Sequence, residues 1–251
     1  MSLQKLKVTI NTLGNTSKVT KAMQNIAAAK VNKLREKLIA SKANLAHLRV
    51  VNPGFFATTN QPINTNANLI NRSNIVIFSP KKGLCGGLAR RIAGDYLGYI
   101  SDDNLLSDLQ KQSVIGVELP SSFLLAESDI RFKRCFWDLG DGSMATANIY
   151  QDLVNQIETT NQIVLIYPKT INHQLVTNHC HYQYSDSQVD RLCLFGVLEE
   201  AWNDTRYSEE SKRIEAMQQA SDNCKKLKES SQLKYFKLRQ AKITQEILEI
   251  S

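Results

Sequence analysis

Apolar positions in this chain follow a helical rhythm at both ends and a strand-and-helix alternation in between. In residues 3–50, Leu34, Leu38, Ser41, Leu45 and Leu48 keep a four-three spacing, the repeat of a coiled-coil seam. Val19, Met23 and Ile26 continue that stripe upstream, while Leu6, Ile10 and Leu13 sit in a slightly different phase. Gly14 lies between the two phases and predicts a local bend or unwinding. Asn52-Pro53-Gly54 then ends the helix. A second long helix is predicted from Tyr207 to Ser251, a stretch rich in strong helix formers and free of Pro and Gly. Its apolar or small positions are Met217, Ala220, Cys224 and Leu227, then Phe236, Ile243, Ile247 and Ile250, at gaps that mark one helical face. Ser208, with Glu210 and Ser211 just beyond, offers capping chemistry at its start.

Between these helices the period changes. Asn60 to Asn74, rich in Asn, Thr and Pro, reads as an exposed connection. Ile75 to Phe78 is a short buried strand, and a glycine-rich turn leads to a helix with Leu88, Ile92, Tyr96 and Ile100 on one face. Ser113 to Leu119 is a second strand, Ser121 to Glu127 a short helix, Ala145 to Glu158 a longer one and Ile163 to Tyr167 a third strand. His181 to Tyr184 is a further strand, and helical Val189 to Trp202 leads into the terminal helix. Strands alternating with helices predict a mainly parallel sheet covered on both sides. The domain divisions expected are 1–55, 56–204 and 205–251, that is helix, α/β domain, helix.

Charge sharpens this picture. The formal net charge is +7, but residues 1–50 contribute +9, residues 51–200 contribute −4 and residues 201–251 contribute +2. A basic first helix suits nucleic acid, an anionic surface or acidic protein partners. It has no aromatic side chain to stack a base and no nucleic-acid motif accompanies it, so nucleic-acid binding is set aside. Five cysteines, an odd number without CxxC spacing, argue for reduced thiols and against a disulfide framework or a structural zinc. No apolar run approaches the ~20 residues that span a bilayer, and Met1 to Leu13 lacks a signal-peptide core. The absence of an Arg- and Ser-rich transit peptide predicts a prokaryotic or a mature chain.

Candidate chemistry is thin. KKGLCGGLAR lacks both the GxxxxGK[ST] phosphate loop and GxGxxG, so it is expected to be a tight strand-to-helix turn whose glycines allow close packing. His173, His179 and His181 flank Cys180 at a spacing uncommon for metal ligands and are expected on loops or strand faces. Cys85 lies in the glycine turn near Lys81 and Lys82 with no His or acid in the local motif, which argues against a nucleophile. No catalytic residue, cofactor or metal is expected.

Several stretches resemble a known family. LRQAKITQEILEI, Leu238–Ile250, closely resembles the ARQAxITQEIxEI that closes the gamma subunit of rotary ATP synthases. SEESKRIEAMQQASDNCKKL upstream is similar to that family's SExxARMxAMxxAxxNAxxL, and TSKVTKAMQNIAAAKVNKL, Thr16–Leu34, to its TxxITKAMxMVAAxKLxxA. SPKKGLCGGL resembles SDRGLCGGLN, with Lys81 and Lys82 in place of Asp-Arg and Ala89 in place of Asn. Gln162–Pro168, QIVLIYP, is a weaker match to a family strand, and residues 120–162 diverge. The resemblance implies a long antiparallel coiled coil of the two terminal helices with a Rossmann-like α/β domain between them; the small residues Ala27-Ala28-Ala29, beyond mere helix propensity, are expected to let the helix backbones approach. It implies a rotor shaft that binds no nucleotide. Such a shaft enters the hexamer of alpha and beta subunits and stands on the membrane ring beside the epsilon subunit, at the cytoplasmic face of a bacterial inner membrane. The positions matching hexamer contacts are Lys18, Lys21, Met23, Arg239, Gln240, Thr244 and Glu246, and Gly83, Cys85, Gly86 and Gly87 form the turn that opens the globular domain. The competing reading is a non-rotary coiled-coil adaptor with an α/β head.

Overall fold

The computed structural model describes residues 2–57, 73–80, 83–101, 113–117, 132–136, 147, 162–171, 174–185 and 187–250. In chain order they form α1 (Leu3–Val51), β1 (Ser73–Phe78), α2 (Leu88–Ser101), β2 (Ser113–Val117), β3 (Phe132–Phe136), β4 (Gln162–Ile171), β5 (Gln174–Gln183) and α3 (Gln188–Ile250). The short helix expected at Ser121–Glu127, nearly all of the one expected at Ala145–Glu158, and most of the Asn60–Asn74 connection lie outside the described residues. The chain divides into two compact units, residues 31–210 and residues 1–30 with 211–251.

The 31–210 unit is built on a five-stranded sheet of order β3-β2-β1-β4-β5. β1 pairs in parallel with β2 and β4, β2 pairs in parallel with β3, and β5 closes one edge antiparallel to β4. The expected parallel sheet is therefore present, with one antiparallel edge strand. Alternation along β1 shows that both faces are covered. Val76 and Phe78 enter a core with Leu165, Tyr182, Val197, Leu198 and Trp202, and Leu45 and Phe55 join it from the α1 end. Ile75 and Ile77 enter a second core with Val164, Ile166, Leu88, Ile92 and Tyr96, the face of α2 read from the sequence. Period-two side-chain direction in β1 and β4 sends successive apolar residues to opposite layers.

The last helix begins earlier than its cap signal suggested. Ser187 Oγ accepts the Asp190 amide at 3.1 Å and so caps the helix, while the Asp190 carboxylate accepts the Ser185 amide at 2.8 Å and pins the chain that leads in. Asp190 also takes a hydrogen bond from Asn52 Nδ2, which ties the end of α1 to the start of α3. Ser208 is no cap. It is buried within the helix, and its hydroxyl meets Thr170 Oγ1 at 2.9 Å and the Pro168 carbonyl at 3.4 Å.

In the other unit the first part of α1 pairs antiparallel with the last part of α3. Ser17 Oγ meets Ser221 Oγ at 3.2 Å, while a side chain at Gly14 would lie 3.7 Å from Lys228 Nζ, so lower numbers on α1 face higher numbers on α3. Buried and half-buried residues of α1 keep one three-four phase from Leu3 through Leu6, Ile10, Leu13, Ser17, Thr20, Gln24 and Ala27 to Val31 and Leu34. This corrects two expectations. Val19 and Ile26 are 58% and 59% exposed, because Thr20 and Ala27 occupy the seam instead. The phase does not change at Gly14, and α1 runs through it unbroken. On α3 the seam is Met217, Ser221, Cys224, Lys228, Ser231 and Tyr235, and Leu227, expected on it, is exposed.

Candidate functional site: the free end of the last helix and the glycine turn

α3 outruns its partner. Extending the antiparallel pairing from Ser17–Ser221 brings Leu3 near the Tyr235 region, and from Phe236 to Glu249 every residue of α3 is exposed. Those fourteen residues are nonetheless apolar in part: Phe236 is 59% exposed, Ile243 45% and Ile247 63%, with Leu238 and Leu248 also open to solvent. The sequence reading puts Phe236, Ile243 and Ile247 on the helix-pairing face; among the described residues all three are exposed, and the Phe236 ring meets only the edge of its neighbour Tyr235, centroids 5.8 Å apart. Contiguous exposed apolar sets are the kind of surface that marks interaction sites in general.

Four of the residues expected to bind a partner, Arg239, Gln240, Thr244 and Glu246, lie on the same stretch. Arg239 and Gln240 are exposed, and Arg239 forms no ion pair with a described residue. Thr244 is exposed but its hydroxyl donates to the Gln240 carbonyl at 3.0 Å, leaving it acceptor capacity only. Glu246 faces Lys242 at 3.5 Å, both well exposed, a pair of the kind worth about 0–1 kcal/mol and readily exchanged for another. Lys18 and Lys21 are exposed on α1, and Met23 is half-buried. Lys18 and Lys21 sit in the half of α1 that pairs with α3, well below the free end; the structure does not bring the two sets into one site.

The glycine turn is a separate feature. Leu84, Gly86 and Gly87 all have left-handed backbones, with φ of 64°, 64° and 76°. A side chain added at Gly86 or Gly87 would meet nothing within 4 Å, so backbone sign and not close packing demands glycine there, contrary to the sequence reading. The Leu88 amide closes the turn on the Cys85 carbonyl at 3.4 Å, and the Arg91 amide bonds the Gly87 carbonyl at 3.1 Å. Cys85 points into the α2 core, Gly83 is exposed, and Leu84 holds its strained conformation while 61% exposed.

Strand geometry also settles how the histidines are arranged. His179 and His181 project to the α2 side of β5, whereas Cys180 projects to the other side, where Asn178 Nδ2 lies 3.0 Å from its sulfur. The three cannot converge on one ion; His173 lies outside the described residues, among which no group of three or more metal-type side chains gathers. Burial lowers the pKa of both histidines, Asp95 partly opposing it at His179.

The ATP synthase family model matches residues 2–251, the whole chain but its first residue. The chain belongs to the ATP synthase gamma-chain family. The gamma chain of Buchnera aphidicola subsp. Melaphis rhois is 28% identical over 282 aligned positions, covering 99% of this chain and 96% of that one. The gamma chain of Clostridium novyi is 25% identical, covering 98% and 94%. The fold agrees: a chain of the Euglena gracilis mitochondrial ATP synthase, solved as OSCP/F1/c-ring, superposes with a TM-score of 0.70 at 13% identity, covering 99% of this chain. A chain of the rotor of the same enzyme gives 0.68 at 12% identity, covering 96% of this chain. Membership makes the chain a non-catalytic component of its complex.

Sequence reasoning missed two sets of residues. Ser17, Thr20 and Ser221 hold the seam, and the signal was the unbroken three-four spacing from Leu13 to Leu34 once polar residues are admitted to it. Asp204, a buried carboxylate on α3, carries no motif that could have flagged it.

Proposed function

We propose that the chain is the rotor shaft of a rotary ATP synthase, its central-stalk subunit, which transmits torque between a membrane ring and a catalytic hexamer of alpha and beta subunits. The observation that carries this reading is the free end of α3, fourteen exposed residues that combine an uncovered apolar set with Arg239, Gln240, Thr244 and Glu246. A shaft tip must turn inside its bearing, so its contacts have to be re-formed at each step. Arg239 suits that task because a forked guanidinium holds a carboxylate by two bonds, each contributing about 1.5–3 kcal/mol at most. Gln240 and the acceptor lone pairs of Thr244 add weaker, reversible contacts, and Lys18, Lys21 and Met23 form a second ring of contacts lower on the shaft. The α/β unit is the foot that meets the ring and the epsilon subunit. The complex translocates protons or sodium ions, and the chain is peripheral to the membrane, at the cytoplasmic face of a bacterial inner membrane. Among the described residues no helix is long and apolar enough to cross a membrane. The relatives lend the non-rotary adaptor reading no support.

Reconstitution with alpha and beta subunits tests the proposal. Arg239→Ala with Gln240→Ala should leave the circular dichroism and melting of the isolated chain unchanged, and lower both the yield of the complex and its ATPase rate. A double variant that assembles and turns over like the parent would reduce these residues to a solvated face.

A further inference from the structure

A groove of about 480 Å³ in the α/β unit is lined by Lys42, Leu45, Ala46, Arg49, Lys169 and Glu200. Lys42 and Arg49 stand seven residues apart on α1, two helical turns along one side, and Lys169 comes from the far part of β4. Between the two lysines lies Asp204 of α3, its side chain 1% exposed. Its two oxygens face Lys42 Nζ and Lys169 Nζ, each at 3.9 Å. At that distance the ammoniums are attracted but not hydrogen-bonded. Asp204 Oδ2 has no hydrogen-bond partner among the described residues. Neither lysine donates a hydrogen bond to a described residue, and their side chains remain 44% and 25% exposed. Arg49 lies with its guanidinium carbon 5.5 Å from the centre of the Phe56 ring, which positions the fork at the rim.

We propose that this groove binds a tetrahedral oxyanion, a sulfate or phosphate group, which takes the donors of Lys42, Lys169 and Arg49 in competition with the Asp204 carboxylate. Three cations whose N–H groups donate to no acceptor among the described residues, drawn from two elements and set above an apolar floor at Leu45, are the chemistry that recognises a phosphoryl group. The opposing charges are Asp204 and Glu200. With both ionised the five groups sum to +1, and with Asp204 protonated to +2, so the anion and a proton bind together. The charged groups that face Asp204 are Lys42 from α1, Lys169 from β4 and Glu200 on its own helix; burial outweighs the lysines and raises its pKa to about 6.

Titration calorimetry of the full chain with sulfate, a dianion throughout, at fixed ionic strength between pH 5.5 and 8 tests this. Affinity should fall about tenfold for each pH unit above ~6. Asp204→Asn should bind at pH 8 as tightly as the parent at pH 5.5, with no pH dependence. Lys42→Ala with Lys169→Ala should lose at least about tenfold in affinity, since two charge-assisted contacts go, while circular dichroism reports an intact fold. No sulfate binding by the parent at pH 5.5, unchanged binding by the double lysine variant, or no gain from Asp204→Asn would each overturn the site. Orthophosphate and pyrophosphate as competitors distinguish the source: displacement by orthophosphate assigns a free anion, displacement by pyrophosphate alone assigns the phosphoryl end of a larger molecule, and displacement by neither overturns the proposal.

Discussion

Gly196 in α3 lies where α1 crosses it, and replacing it with alanine sets two effects of opposite sign against each other. A helix interior gains about 1 kcal/mol from Gly→Ala, because glycine loses more backbone freedom on folding. The new methyl, however, would stand 2.8 Å from Leu48 Cδ1 and 3.3 Å from Leu45 Cδ2. Leu48 is half-buried and its methyl can swing aside, at about 0.5–1.5 kcal/mol for a strained rotamer. Leu45 is 2% exposed and hemmed in by the core, so it gives less. Overpacking of this kind costs about 1–3 kcal/mol, and the net effect of Gly196→Ala should be a destabilisation of about 1 kcal/mol. In a Leu48→Ala background the nearest obstacle is gone and the same change should stabilise by up to about 1 kcal/mol. Urea denaturation of the four proteins, followed by circular dichroism, gives the coupling directly. A coupling below about 0.5 kcal/mol would mean that the two side chains do not meet, and the helix crossing described above would be wrong.

Three further outcomes follow from the same structure. Asp204 has a folded-state pKa of about 6 against 3.8 unfolded, so its favourable contribution is complete below 3.8 and lost as pH rises through about 6; Asp204→Asn should stabilise the chain above that pH by about 3 kcal/mol at most, read as a urea midpoint that no longer falls between pH 5 and 7. His179 and His181 have pKa values lowered by burial, so the stability they confer is present above the unfolded value near 6.5 and lost as pH falls below it; thermal melts of His179→Gln with His181→Gln should show a smaller drop below pH 6.5 than the parent. Ile243→Asp, on the exposed end of α3, should change the melting of the isolated chain by no more than about 0.5 kcal/mol and reveal itself only on assembly; a large loss in the chain alone would place Ile243 in a packing site.

The elements that sequence made legible are those whose apolar residues do one thing. Leu38 and Leu45 of α1, Leu88, Ile92 and Tyr96 of α2, and Ile75 to Phe78 of β1 are legible because their periods are regular and their side chains buried. The seam between Leu13 and Val31 misled because Ser17, Thr20 and Gln24 occupy it, so the exposed Val19 and Ile26 drew the stripe to the wrong face. Ser208 carried cap chemistry yet sits mid-helix, where burial and the Thr170 hydroxyl satisfy it. β5 was read only at its end, since its α2 side carries Thr177, His179 and His181 where an apolar run would have announced a strand; β3 was not anticipated at all. Of the residues proposed to bind a partner, Arg239, Gln240, Thr244 and Glu246 are singled out by motif likeness, and their exposure is not derivable from helical spacing.

The core joins residues that are far apart in the order of synthesis. Phe55 stacks on Tyr182, with ring centroids 5.3 Å apart, and Leu45 and Phe56 share their cluster with Leu194, Leu198 and Trp202. On a ribosome moving at about 5–20 residues per second, Phe56 therefore waits roughly 7–30 s before Trp202 has been made. Throughout that interval the first helix has been made but its seam has no mate, and its leucines are available to any other nascent chain. Wiring of this kind predicts that slowing elongation lengthens the interval and raises aggregation during translation, measured as the fraction of nascent chain that sediments.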